Sequence, residues 1–229
     1  MIFAPHPGIA VQTRTIGRER APLLIIDNFV ADADSLVDLA AGKLFGDVAS
    51  YYPGVRAKAP LSYQQFVLGQ MRGVFSETFG LPGKSLRFTA CYFSLVTTAP
   101  QKLSHLQCIP HIDSVLGTEL AFVHYLFRRN HGGTAFYRHR STGFEAVSQE
   151  RKIEYFEKVE AERVGPDKPA VGYISGTTAL YEQIHSEAGL FNRMLVYRRN
   201  SLHSGSIASP AAIDSNPRTG RLSINGFMA

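Results

Sequence analysis

The chain has 229 residues, 24 Lys or Arg against 19 Asp or Glu, and a formal net charge of +5 with His neutral. Hydrophobic residues make up 45% and charged residues 19% of it, which excludes a disordered or fibrous chain and fits one large domain or two small ones. No window approaches the roughly 20 apolar residues of a membrane-spanning helix, and the N-terminus carries Pro5 and Pro7 with no apolar core for a signal peptide.

The chain opens with a strand-like LLIIDNF (23–29), after which Asp32 and Asp34 can cap a helix bearing Leu36, Val37, Ala40 and Leu44 on one face. A second helix is predicted at about 62–80, with Tyr63, Phe66, Val67, Met71, Val74, Phe75 and Phe79 on its apolar side and Gly80 at its end. Between them, YYPGVRAK (51–58) places aromatics and Arg56 around a Pro-Gly turn, either as an ordinary packed loop or as a cover that touches substrate. From Leu86 the texture becomes β: LRFTACYFSLVTT (86–98), ELAFVHYLF (119–127), GTAFYRH (133–139), GYISGTTALYEQI (172–184), RMLVYRR (193–199) and RLSINGF (221–227). SQERKIEYFEKVEAERVG (148–165) interrupts them, with Ile153, Phe156 and Val159 among charges, and reads as an inserted amphipathic surface helix. With no repeat or linker in view, the expectation is a single domain over 1–229, mainly β with α: a helical support at about 30–80 and a sandwich or barrel at about 86–229.

Cys91 and Cys108 are too few for a disulfide framework and fit small buried positions in a reducing, cytoplasmic setting. The basic residues Arg128, Arg129, Arg138, Arg140, Arg198 and Arg199 fall on alternating strand positions, which predicts a solvated outer face and not a nucleic-acid stripe with stacking aromatics.

The chemistry-bearing segment is IPHIDS, where His111 and Asp113 stand two apart and on a strand point to the same side. Alone the pair is weak: in a chain with eight His, chance supplies about 0.3 such pairs, and a strand-end His bonded to Asp explains it as well. Three further features join it. His203 ends the strand-like run in NSLHSG, where a turn His is the plainer explanation. Arg221 and Ser223 share one side of the last strand, where a buried guanidinium offers a fork for a carboxylate and the hydroxyl supports its second oxygen. HGGTAFY (131–137) enters a strand through two glycines that otherwise suggest a hairpin turn. His124 should face away from its neighbour Tyr125, His105 fits a surface strand, and His6, His131, His139 and His185 read as solvated.

Two His and one carboxylate bind one face of a metal and leave positions open, the arrangement of non-haem Fe(II) oxygenases. The order His-x-Asp, a long β-rich span, His, then Arg-x-Ser resembles the Fe(II)/2-oxoglutarate-dependent dioxygenases, and LLIIDNFVADADSLVDLA, TACYFSLV and FVHYLFRRNHGGTAFY are most similar to the prolyl hydroxylase-like branch. The resemblance implies a double-stranded β-helix, or jelly roll. It implies Fe(II) on His111, Asp113 and His203, with 2-oxoglutarate and O2 as cosubstrates. Arg221 would meet the distal carboxylate of 2-oxoglutarate, with Ser223 and Tyr125 assisting. The implied reaction is oxidation of a small-molecule or peptide-like substrate with release of succinate and CO2; Asp113 argues against halogenation.

This chain departs from the pattern in the spacing of His203 and Arg221, which stand 18 positions apart across the extended 204–220 loop, and in the 148–165 insertion. Substrate class therefore does not carry over, and the oligomeric state stays open, a homodimer among the options. The competing expectations are a cupin-like metal enzyme independent of 2-oxoglutarate, although the His-x-His pair usual there is missing, and a non-catalytic jelly-roll binding protein.

Overall fold

The computed structural model describes residues 2–47, 51–81, 85–207 and 213–229. The elements run β1 (Ala10–Ile16), β2 (Ala21–Asp27), α1 (Asp34–Ala41), β3 (Gly54–Lys58), α2 (Leu61–Phe79), β4 (Phe88–Val96), β5 (Leu120–Tyr125), β6 (Gly133–His139), α3 (Lys152–Glu162), β7 (Tyr181–Ala188), β8 (Met194–Arg198), β9 (His203–Ser206) and β10 (Leu222–Met228). The strands form a seven-stranded sheet, β1-β2-β8-β5-β10-β4-β3, and a three-stranded sheet, β7-β6-β9. Every pairing is antiparallel. Among the described residues no strand pairing joins the two sheets. In place of the closed barrel expected from the sequence there are two open sheets, mainly β with few helices.

Alternation along the central strands sets the layers. In β5, Leu120 and Phe122 turn to one side and join Leu222 and Ile224 of β10 beneath the helices. Ala121, Val123 and Tyr125 turn to the other and meet Phe136 of β6. β5 is therefore buried on both faces. Helix α2 covers the first face with Tyr63, Phe66, Val67, Met71, Phe75 and Phe79 and stops at Gly80, whose φ of 60° is left-handed. Helix α1 buries Leu36, Val37 and Ala40, and the Ser35 amide donates to Asp32 at 3.0 Å. Leu44 lies beyond the end of α1 and is 97% exposed, so it does not belong to the apolar face.

Helix α3 packs against the smaller sheet. Its buried residues are Tyr155 and Val159, against Tyr137, Tyr181 and Leu202, whereas Ile153 is exposed. His139, expected in solvent, is fully buried and bonds Glu162 at the end of this helix at 2.8 Å. His131 is buried as well. Arg138 is buried between Glu145 and Glu182, so it does not belong to a solvated face. The run 172–184 pairs only from Tyr181 onward, because Gly172 and Gly176 adopt positive φ and break the extended chain. Residues 208–212 of the extended 204–220 loop lie outside the described residues. No helix is long and apolar enough to cross a membrane.

His124 faces away from Tyr125, as alternation requires, yet it is buried beneath α2. It bonds Tyr63 at 2.8 Å and Asn192 at 3.1 Å. Desolvation pushes its pKa down to about 4. A proton therefore binds the unfolded chain first, and the stability given by the neutral ring is lost as pH falls below about 6.5 toward 4. Between pH 7 and pH 5 this group alone costs about 2 kcal/mol. Urea unfolding of His124→Gln at the two pH values should show a pH-dependent loss smaller by that amount; an unchanged loss would place the proton elsewhere.

Candidate metal centre

His111 and His203 are joined through their backbones. The His111 amide donates to the His203 carbonyl at 2.9 Å and the His203 amide to the His111 carbonyl at 3.0 Å. Such a mutual pair puts directly opposed side chains on the same face, and the two imidazole centroids lie 4.4 Å apart. Asp113, two residues on, points the same way. Its amide donates to the Arg199 carbonyl at 2.8 Å, and the Arg199 guanidinium donates back to the Asp113 carbonyl at 2.9 Å while pairing with Glu119. Arg199, expected in solvent, is a positioning residue for this segment.

One ligand atom from each of His111, Asp113 and His203 lies within 4.8 Å of the others. His203 Nδ1 donates to the Ser201 carbonyl at 2.9 Å, which fixes the ring and turns Nε2 toward Asp113. That atom stands 3.5 Å from Asp113 Oδ2, and His111 Nε2 stands 3.9 Å from Oδ1. The His111 side chain is 49% exposed, and the protein packed around the rest of it, with His203 second, lowers its pKa below the ordinary histidine value. Two imidazole nitrogens and a carboxylate thus converge within 4.8 Å of one another, a spacing at which one cation can touch all three. The donor set of nitrogen and carboxylate oxygen suits Fe(II) and related divalent ions.

The three residues line a cavity of about 610 Å³, within the usual range for small-molecule sites. Arg221 and Thr134 line it too, as do Tyr52 and Arg56 of the 51–58 stretch, which is therefore part of the wall. Arg221 is 5% exposed, and no described residue gives it a carboxylate. Its Nε donates to the His131 carbonyl at 3.0 Å and one terminal nitrogen to the Gly133 carbonyl at 2.7 Å. The double glycine makes this cradle. A Cβ on Gly132 would lie 1.7 Å from the Ser206 carbonyl oxygen, and one on Gly133 would lie 1.9 Å from that of Glu187. Only bare backbone lets β6 sit this close to both neighbours and aim its carbonyls at Arg221.

Tyr125 and Ser223, predicted to assist Arg221, are fully buried opposite one another on β5 and β10 and are not among the cavity-lining residues. Tyr125 shares a 2.7 Å hydrogen bond with Thr134, and Ser223 donates to Asn225 at 2.7 Å; it is Thr134 and Asn225 that reach the cavity. Burial pushes the Tyr125 pKa up to about 12. The structure thus gathers His111, Asp113, His203 and Arg221 and sets the two hydroxyls one step behind. Gly132→Ala combines a φ of +82° with a backbone clash and should cost about 2–4 kcal/mol. Gly143→Ala, at φ +73° in open space, should cost only about 1–2 kcal/mol. Equal losses in urea unfolding would show that close approach at Gly132 is not what matters.

No curated protein sequence matches the chain. Among solved structures it is similar to the non-heme alpha ketoglutarate dependent epimerase SnoN from nogalamycin biosynthesis, at 12% identity and a TM-score of 0.47 over 87% of this chain and 72% of that one. It is also similar to a Pseudomonas putida prolyl-4-hydroxylase, at 12% identity and a TM-score of 0.41 over 96% and 91% of the two chains. A third is HygX from Streptomyces hygroscopicus with nickel and 2-oxoglutarate bound, at 11% identity and a TM-score of 0.48 over 92% and 84%. The profile of a family of unknown function, DUF6445, matches residues 7–228, and the chain belongs to that family.

Proposed function

We propose that the chain is an Fe(II)- and 2-oxoglutarate-dependent oxygenase, a single domain whose two sheets are the halves of a double-stranded β-helix. It would hydroxylate a small-molecule or peptide-like substrate and release succinate and CO2. The observation that carries this reading is the convergence of His111, Asp113 and His203, within 4.8 Å, on a cavity that also holds a buried arginine with no acidic partner among the described residues.

Iron(II), when bound, supplies activation of O2 coupled to oxidative decarboxylation of 2-oxoglutarate. The chain's part is to bind, orient and exclude water. His111 and His203 offer imidazole nitrogens and Asp113 a carboxylate from one side, leaving the cavity side open. Arg221 is anchored by two backbone carbonyls, and its remaining terminal nitrogen has no partner among the described residues. A buried, uncompensated guanidinium is costly unless an anion joins it, and the distal carboxylate of 2-oxoglutarate meets that need. Val123, Tyr197, Ile207 and Phe227 contribute apolar surface to the same cavity and keep water from the reacting region.

The test is Fe(II)- and O2-dependent formation of succinate from 2-oxoglutarate without added substrate. Wild type should turn over slowly, and His111→Ala/Asp113→Ala not at all; retained turnover in the double variant would overturn the assignment. Arg221→Ala should raise the 2-oxoglutarate requirement about tenfold or more while metal still binds. An unchanged requirement would place the anion elsewhere.

A further inference from the structure

A second guanidinium opens on the cavity. Arg56 stands in the middle of β3, paired with Ser94 of β4 on one side and bridged to Gly46 on the other. Its guanidinium lies over the Tyr52 ring at 4.3 Å and 5.8 Å from that of Tyr92. The other arginines near this region are spoken for: Arg199 pairs with Glu119, and Arg221 bonds two carbonyls. Arg56 has no carboxylate and no side-chain hydrogen bond from the described residues. Its Nε is buried without a partner, and the residue as a whole is half-buried at the cavity wall. It lies close enough to the triad for Asp113 to act on it and for it to act on His111.

The surroundings say what kind of molecule brings the missing anion. Tyr51, Leu106 and Phe156 line the same cavity and remain 73%, 39% and 42% exposed, an apolar rim on its mouth. Charge narrows the choice further. On the oxygenase reading, on which this inference rests, a divalent ion and Arg221 neutralise Asp113 and the two carboxylates of 2-oxoglutarate. Among the described residues, Arg56 is then the one cationic side chain of the wall without a counterpart. We infer that Arg56 is a specificity-determining residue that receives the carboxylate of an apolar acid, the substrate class, whose body lies along Tyr51, Leu106 and Phe156.

The test uses protein loaded with Ni(II) and 2-oxoglutarate. Octanoate, 3-phenylpropionate and 4-phenylbutyrate are each titrated by calorimetry against their neutral amides. Wild type should bind at least one acid about tenfold tighter than its amide, the value of a charge-assisted hydrogen bond. The preference should vanish in Arg56→Gln and return in part in Arg56→Lys, with the 2-oxoglutarate affinity unchanged in both. Three results would overturn the inference: no acid preferred in wild type, a preference that survives Arg56→Gln, or a tenfold weakening of 2-oxoglutarate in that variant, which would assign Arg56 to the cosubstrate. Ni(II) and 2-oxoglutarate titrations of the same preparations report the oxygenase reading separately. If those fail while the acid preference persists in wild type alone, the metal reading falls and the anion subsite stands.

Discussion

Two backbone hydrogen bonds between His111 and His203 hold the centre of this molecule together. They join a short segment after a 3-10 turn, which carries His111 and Asp113, to the strand that carries His203. The period of two along a strand then does the rest: once His111 faces His203, Asp113 must share that face. A slip of one residue would turn the three side chains away from the cavity. The pairing is therefore protected at its neighbours, by the Arg199 backbone and guanidinium on Asp113 and by the Ser201 carbonyl on the His203 ring.

The electrostatics of the cavity follow from the same geometry. Two imidazole nitrogens and a carboxylate converge, which calls for a cation, and two arginines without acidic partners among the described residues call for anions. Arg221 is held by backbone carbonyls, which orient a guanidinium without neutralising it. Had an Asp or Glu done that work, the site would have been satisfied and inert toward an outside anion. The glycines at 132 and 133 make the backbone solution feasible, because they let β6 pass within contact of both its neighbours.

Much of this was legible in the sequence where one face of an element is apolar. Helix α2 shows its buried stripe and its terminal glycine, and the long strands show β-branched and aromatic runs. Strand β1 was missed because AVQTRTI is almost wholly exposed and carries no apolar alternation. Strand β9 was missed because HSGS has no apolar residue. That second gap matters, since β9 carries His203 and its register is set by partners far away in sequence. Period-two reasoning puts Ser223 on the side of Arg221 and turns Tyr125 away from His124, but it holds no information about depth. Thr134 and Asn225 stand between those hydroxyls and the cavity. His131 and His139 read as solvated because they sit in a loop-like segment and at a strand end, and packing against distant elements buries them. Arg56 stands in a stretch that reads either as a packed loop or as a cover that touches substrate; its lack of a partner among the described residues is a property of the folded chain.

The central claim is that His111, Asp113 and His203 hold a metal ion whose open side faces 2-oxoglutarate. Anaerobic visible spectroscopy tests it most directly. Adding 2-oxoglutarate to the Fe(II)-loaded protein should produce a metal-to-ligand charge-transfer band in the wild type and none in Asp113→Ala. A wild-type protein that binds Fe(II) yet shows no band, or an Asp113→Ala variant that shows the same band, would contradict the account.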